Sequence, residues 1–459
     1  MIYTDLLFFL CLLPFSVLFS FFDRSTEYKN LILVITSLLV FSWGKPFGVC
    51  LLFVTAFGEW IIGRWAEKKR ENEQSVSTPL LVDIAMNLLV FFLFTGKFLY
   101  TEEGSFGFER ILAQQGIMFY VIRGFAYVYD VSKGRIKAEK NVFCLITYMS
   151  AYFFMPCGPV ARYGDFEPQL RKRSLTIDGI TKGLNSFVYG LGKAVIIAPV
   201  LKKIAEAGFN FEEINFIGCW AGALSMLGFA YFLFTGFCDM SLGIANIYGF
   251  ELKKNYRKFT AKGIYDGVVK SFCTSVTDFF EEVVSDFGKK YDFFKYPLIV
   301  IISALLSLML GRSMFFLIVG IIIGIIIILE KTVLNDILIK IPTIFRFLLT
   351  YISGFIILGG ACSGGFRSFV KWLGALVGIG NKYTLSVAVK YAVLNNIFVV
   401  IIAVLMLITP LRKFVAQKIK AYAEKSVDNY GRLSIVRTIF TTLLLMACII
   451  VIVSSTVII

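Results

Sequence analysis

Phe153-Phe154-Met155-Pro156-Cys157-Gly158-Pro159-Val160-Ala161-Arg162-Tyr163-Gly164-Asp165-Phe166-Glu167-Pro168-Gln169-Leu170 is the most distinctive string in the chain, and it closes an apolar run. Pro156 and the pair Gly158-Pro159 stop a helix and turn the chain sharply: proline lacks an amide donor, and glycine adopts backbone angles closed to other residues. Arg162 follows at the edge of the apolar layer. Its plainest reading is a helix terminus with an interfacial arginine.

The residues around this string leave no room for a soluble fold. The chain has 459 residues, 58% of them hydrophobic and only 17% charged, which is too little to coat a soluble surface. The reading is an all-α polytopic membrane protein in the cell membrane, with membrane lipids as its surroundings. Lys and Arg number 46 against 31 Asp and Glu, a net charge of +15 that fits cytoplasmic loops near anionic headgroups and gives no reason to expect nucleic acid. There are 0 histidines, so imidazole chemistry, whether metal ligation or proton relay, is excluded. The 9 cysteines are scattered in apolar runs and read as small hydrophobes, with no metal site expected.

Apolar segments at 5–22, 31–43, 46–63, 80–98, 143–157, 187–201, 216–237, 296–311, 314–329, 344–360, 389–410 and 437–458, with a weaker one at 111–131, predict about eleven transmembrane helices plus shorter re-entrant or interfacial ones. Segment 5–22 lacks the basic flank and small-residue site of a cleaved signal peptide. The basic cluster Arg64, Lys68, Lys69 and Arg70 after the third segment predicts a cytoplasmic loop and an extracellular N-terminus. The expected organisation is a single membrane domain over 1–459: N-terminal helices in 1–132, a core in 133–330 and C-terminal helices in 331–459. Residues 264–287 break the pattern. Apolar residues recur there at helical spacing opposite Asp278, Glu281, Glu282 and Asp286, predicting an amphipathic helix that packs against protein and does not lie on anionic lipid.

The string at 153–170 resembles the Gly-Pro, Arg, Phe and Pro-Gln-Leu signature of the membrane-bound O-acyltransferase (MBOAT) family, in the bacterial branch of alginate O-acetyltransferases and the teichoic-acid D-alanylation protein. Leu31 to Phe41 with Ser42-Trp43-Gly44-Lys45-Pro46, Gly116 to Tyr120 with Tyr129-Asp130-Val131, and Phe234 to Gly243 with Tyr248-Gly249-Phe250 and Asn255 are similar to further elements of that branch, in the same order. The resemblance implies a helical bundle around a tunnel. An acyl-thioester donor (acyl-CoA or an acyl-carrier protein) enters from one side and an acceptor hydroxyl from the other, with a central histidine as base. It also implies acyl-carrier or cell-envelope modification proteins as partners.

The chain departs from that pattern at the chemistry. Aligning Asp266 with the family's aspartate puts Phe272 at one histidine position and Thr274 at the following serine, while Leu310 stands at the second histidine. Leu233 replaces a further family aspartate. No catalytic residue is therefore expected and no cofactor is bound, with a thioester donor entering only if activity remains. Asp239, Cys238 and Cys273 are the available substitutes, although a thiol without a base is inert. Charges interrupting apolar runs are functional candidates by default: Asp83, Lys97, Arg123, Lys193 and Arg312. Arg123, Arg162, Lys193, Asp239, Asn255 and Arg312 are the candidates for a cavity or binding site, and Asp239 is a candidate acidic partner for Arg312. Three functions compete: an MBOAT-type protein without acyl transfer, serving as scaffold, gate or binding subunit; an active O-acyltransferase with a non-histidine base; and a transporter of a lipid or sugar intermediate.

Overall fold

The computed structural model describes residues 3–22, 25–43, 47–95, 108–155, 157–209, 215–257, 265–290, 292–311, 314–334, 340–342, 345–346, 352, 366–379, 387–407, 409–424 and 426–457. Lys97, Arg312 and almost all of the apolar segment 344–360 lie outside them. Among the described residues every regular element is helical.

The first elements are α1 (Phe8–Phe19), α2 (Thr26–Ser42), α3 (Phe47–Glu71), α4 (Ser77–Thr95), α5 (Phe108–Ser132), α6 (Val142–Ser150) and α7 (Tyr163–Arg171). They are followed by α8 (Ile177–Gly208), α9 (Phe216–Ile247), α10 (Thr274–Lys290), α11 (Lys295–Gly311) and α12 (Met314–Leu329). The last are α13 (Phe366–Val377), α14 (Val387–Leu394), α15 (Ile397–Leu407), α16 (Thr409–Ala423) and α17 (Val427–Val457). Polar caps start several of them: Ser25 Oγ accepts the Tyr28 amide before α2, and Asn141 Oδ1 accepts the Phe143 amide before α6.

Among the described residues five helices are long and apolar enough to cross a membrane, Val49–Glu71 in α3, α8, α9, Phe316–Leu334 running on from α12, and Gly431–Ser454 in α17, or six if α14 and α15, bent by 79°, count as one span. The bend falls at Asn395-Asn396, where Asn396 Nδ2 returns to the Ala392 carbonyl, so side-chain amides compete with helix continuation. Three shorter apolar helices, in α1, α4 and α11, accompany them. The protein is thus an all-α polytopic membrane protein, but the expected eleven crossings are not established by length and composition. Large apolar side chains left exposed along these helices, such as Phe15, Val54, Leu81, Ile435 and Ile450, are what acyl chains would cover.

The chain divides into two compact units, one of 1–184 and 241–354, the other of 185–240 and 355–459. In the first, α3, α4 and α5 pack on one another, and α11 pairs with α12. The 153–170 string feeds a buried aromatic core: Phe166 stacks on Phe250 with centroids 4.6 Å apart, and Phe154 meets Phe166 edge-on at 5.4 Å. In the second, the 185–208 part of α8 lies against the 216–240 part of α9. A Cβ on Gly190 would come within 2.5 Å of the Gly236 carbonyl, so only glycine permits this approach. Phe209 stacks on Trp372 at 5.4 Å.

One expectation is corrected here. The amphipathic stretch 264–287 is two pieces: a short helix over Tyr265–Phe272, widened into a π-helical turn up to Val269, and then α10. Cys273, at φ −142° and ψ 65°, separates them. The break is made from outside the stretch, because the Thr274 amide donates to the Asn255 carbonyl and the Arg257 amide to the Ser271 carbonyl. Periodicity cannot reveal such tertiary competition for backbone groups.

Candidate functional site

The resemblance directs attention to Phe272 and to the 153–170 string, and the fold brings the two regions into one unit. The string turns as its composition dictates. α6 ends at Ser150, a single tight turn covers Tyr152–Phe154, and the Gly158 amide closes back on the Phe154 carbonyl at 3.2 Å. A Cβ on Gly158 would lie 2.5 Å from Phe154 Cα, so glycine is required.

Asn255 locks that turn to the start of α10. It is fully buried, and its Nδ2 donates to the carbonyls of Cys157 and Gly158 at 3.2 and 3.3 Å. Its Oδ1 accepts the amide and hydroxyl of Ser275 at 3.1 and 2.5 Å. Ser275 Oγ in turn accepts the Val160 amide at 2.9 Å. The carboxamide uses both ends, as a buried amide must. Phe272 and Cys273, the expected histidine position and a possible substitute nucleophile, sit half-buried two to three residues before Ser275.

Arg162 makes the second tie. Its guanidinium bonds both Asp130 at the end of α5 and Glu282 on α10, and lies over the Phe279 ring at 5.1 Å. Arg135 joins the same acids, donating to Asp130 and Asp286 at 3.1 Å each and pairing with Glu282. Tyr129 donates its hydroxyl to Asp286 at 3.0 Å. The apolar face of α10 packs on α5 through Phe279 against Phe125 and Tyr129.

Farther along α10's polar side, Lys270 reaches Glu281 at 2.5 Å and Asp278 at 3.1 Å, and Lys331 reaches Glu281 at 2.9 Å. Burial works against charge on Glu281, but the hydrogen bonds from Lys270 and Lys331 outweigh it and hold the carboxyl below its usual range. Asp286 is likewise held low, since Tyr129, Lys133 and Arg135 together overcome its desolvation. Partial burial opposes the Lys270 charge, yet its two acids carry the ammonium above its usual value. The acidic side of α10 is therefore an ion-paired seam, with its carboxylates engaged by cations.

Arg123, on α5, is completely buried. Its Nη1 and Nη2 donate to the Tyr148 and Met149 carbonyls at 3.1 and 2.9 Å, and its guanidinium covers the Phe154 ring at 4.3 Å. In the other unit, Asp239 on α9 accepts from Lys193 Nζ at 2.5 Å, at the point where α8 widens into a single π-helical turn over Lys193–Ile197. The Asp239 carbonyl also accepts the Ser186 hydroxyl at 3.0 Å. The basic partner found on Asp239 is thus Lys193, while Arg312 lies outside the described residues. Cys238 beside it is buried. Leu310 falls in the last turn of α11.

Sequence reasoning overlooked Ser275 and Glu282 as organising residues. Glu282 was visible only as one acid in a helical stripe, and nothing local singles out Ser275.

No protein-family profile matches the chain. Among characterised proteins it is similar to the probable alginate O-acetylase AlgI of Pseudomonas aeruginosa, 29% identical over 251 residues, which is 50% of this chain and 46% of the relative. The probable alginate O-acetylase AlgI of Pseudomonas syringae pv. tomato is 27% identical over 250 residues, 50% of this chain and 47% of the relative. The peptidoglycan O-acetyltransferase of Helicobacter pylori is 24% identical over 279 residues, 53% of each chain. The chain therefore spans about half the length of the relatives it matches.

Proposed function

Because its relatives are named as O-acetyltransferases of alginate and peptidoglycan, consistent with membership of the membrane-bound O-acyltransferase family, we propose that this membrane protein keeps an O-acyltransferase scaffold of cell-envelope polymer modification without its acyl-transfer chemistry. It serves as scaffold, gate or binding subunit beside a partner that supplies the chemistry, and its N-terminus is external. The observation that carries this reading is the count of 0 histidines, with Phe272 and Leu310 at the positions where the family resemblance calls for them.

Thioester attack by a hydroxyl needs a base able to take a proton near neutral pH. Around α10 and at Asp239, the positions to which the resemblance points, the geometry supports the absence of one. Glu281, Glu282 and Asp286 are held by lysine and arginine, and Asp239 is held by Lys193. Asn255, next to Phe272 in the fold, spends its amide on backbone and Ser275.

The direct test is to reconstitute the purified chain with acetyl-CoA or an acetylated carrier protein and a hydroxyl polymer. No transfer is expected, and transfer abolished by Asp239→Asn, Cys238→Ala or Cys273→Ala would overturn the proposal. That last outcome is the second reading, an active O-acyltransferase with a non-histidine base, which the names of the relatives favour. Under it, one of those substitutions lowers turnover by about 10²-fold or more.

A further inference from the structure

Two acids on neighbouring apolar helices face each other with no basic partner in the described structure. Glu59 on α3 and Asp83 on α4 are fully buried, and Asn87, one turn after Asp83, is 2% exposed. Asn87 Nδ2 bridges them, donating to Glu59 Oε1 at 2.7 Å and Asp83 Oδ1 at 2.9 Å, with the Asp83 carbonyl at 3.1 Å. Those three acceptors fix which end of the Asn87 amide is nitrogen.

The other ends of all three side chains are left over. Glu59 Oε2, Asp83 Oδ2 and Asn87 Oδ1 are buried without a hydrogen-bond partner. Three orphaned acceptors in one cluster depart from the rule that buried polar atoms are satisfied. The third helix leaves room for the cluster. A Cβ on Gly124 of α5 would fall 2.2 Å from Glu59 Oε1, the oxygen bonded by Asn87, and 3.3 Å from the orphaned Asn87 Oδ1, so glycine keeps space for both. No described ion pair involves either acid.

We propose that Glu59, Asp83 and Asn87 form a buried site for a single Na⁺ ion, held by the three orphaned oxygens. A proton shared between the carboxyls would satisfy two of these oxygens and leave Asn87 Oδ1 unpartnered, whereas a hard monovalent cation takes oxygen ligands from all three. Two adjacent carboxylates removed from water cannot both stay charged without a compensating positive charge. One Na⁺ brings the pair from −2 to −1. Protons compete for the same oxygens. The titratable groups that feel the Glu59 charge from the packed helices are Tyr120 and Tyr127 on α5 and Tyr148 on α6. All three are phenols, neutral in the acid range.

The experiment uses the full chain in detergent, with thermal unfolding and ²²Na⁺ binding measured in NaCl, KCl and choline chloride at matched ionic strength. NaCl is expected to raise the melting temperature by several degrees over choline, saturably, and to require more Na⁺ as the pH falls. Glu59→Gln and Asn87→Ala are expected to abolish ²²Na⁺ binding. Equal melting temperatures in the three salts at every pH, with no ²²Na⁺ bound to the unaltered chain, would sink the site. So would a pH-dependent shift indifferent to Na⁺, which would mean that the acids share a proton only, or an equal effect of K⁺, which would mean a general ionic effect. Because the unaltered chain answers the question, failure of a variant to fold does not remove the test. The outcome is independent of whether the protein transfers acyl groups.

Discussion

Asn255 Oδ1 receives both donors of Ser275, its amide at 3.1 Å and its hydroxyl at 2.5 Å, and through this pair the turn at 157–158 is held to the first residues of α10. The region that the family resemblance marks for catalysis is here closed by a structural knot. Replacing Asn255 by Ala strands the Ser275 donors and two buried carbonyls, each orphan costing about 1–3 kcal/mol. Asn255→Ala is expected to lower the melting temperature in detergent severely, and Ser275→Ala less, because it strands the Val160 amide but leaves the Ser275 backbone bond to Asn255. Equal, negligible effects would show that the knot is not a stabilising feature.

Arg162 supplies a second tie whose loss is graded. Asp130 is nearly buried and retains Arg135 when Arg162 is removed, while Glu282 is partly exposed. Arg162→Ala is expected to destabilise by about 2 kcal/mol, between the values for exposed and buried ion pairs. Arg162→Lys recovers part of this, since an ammonium cannot fork to two acids as a guanidinium does. Chemical denaturation of both variants is the measurement.

For Lys193 and Asp239, the single substitutions are expected to cost more than the pair. Lys193→Met leaves a carboxylate among apolar helices, and Asp239→Leu leaves an ammonium, each costing about 3 kcal/mol, whereas the double substitution removes both charges. A double-mutant cycle on thermal stability reads the coupling directly. A double variant as unstable as the sum of the singles would contradict an ion pair in this place.

The seam on α10 makes stability depend on pH from both ends. Glu281 and Asp286 sit below their ordinary values of 4.5 and 3.8, so their contribution is complete above those values and lost as the pH falls through the depressed folded ones. Lys270 sits above its ordinary 10.5, so its contribution is complete below that and lost as the pH rises through the elevated folded value. Melting temperature against pH should show both limbs. Glu281→Gln is expected to flatten the acid limb and also to weaken the alkaline one, since Lys270 loses a partner.

The sequence made the membrane class and the all-helical make-up legible because both follow from composition and local periodicity. The amphipathic stretch was likewise readable, but its division at Cys273 was not, since the backbone of residues 255 and 257 imposes it from outside. Partner choice is non-local in the same way. Asp239 can be singled out as an intramembrane acid, yet its pairing with Lys193, 46 residues earlier, needs two helices in register. Asp83 stood out in its apolar run, whereas Glu59 passed unnoticed in another, and their bridge through Asn87 appears only in three dimensions.

The length of α9 has a consequence for the surrounding lipid. Its 32 residues span about 48 Å at about 1.5 Å per residue, against a hydrocarbon layer about 30 Å thick. The surplus must be absorbed by tilt, by projection into the headgroups or by local thickening of the bilayer. Bilayer thickness thereby enters the energetics of this protein as a variable in its own right: changing acyl-chain length changes the strain on the helix that carries Asp239, without altering a single residue.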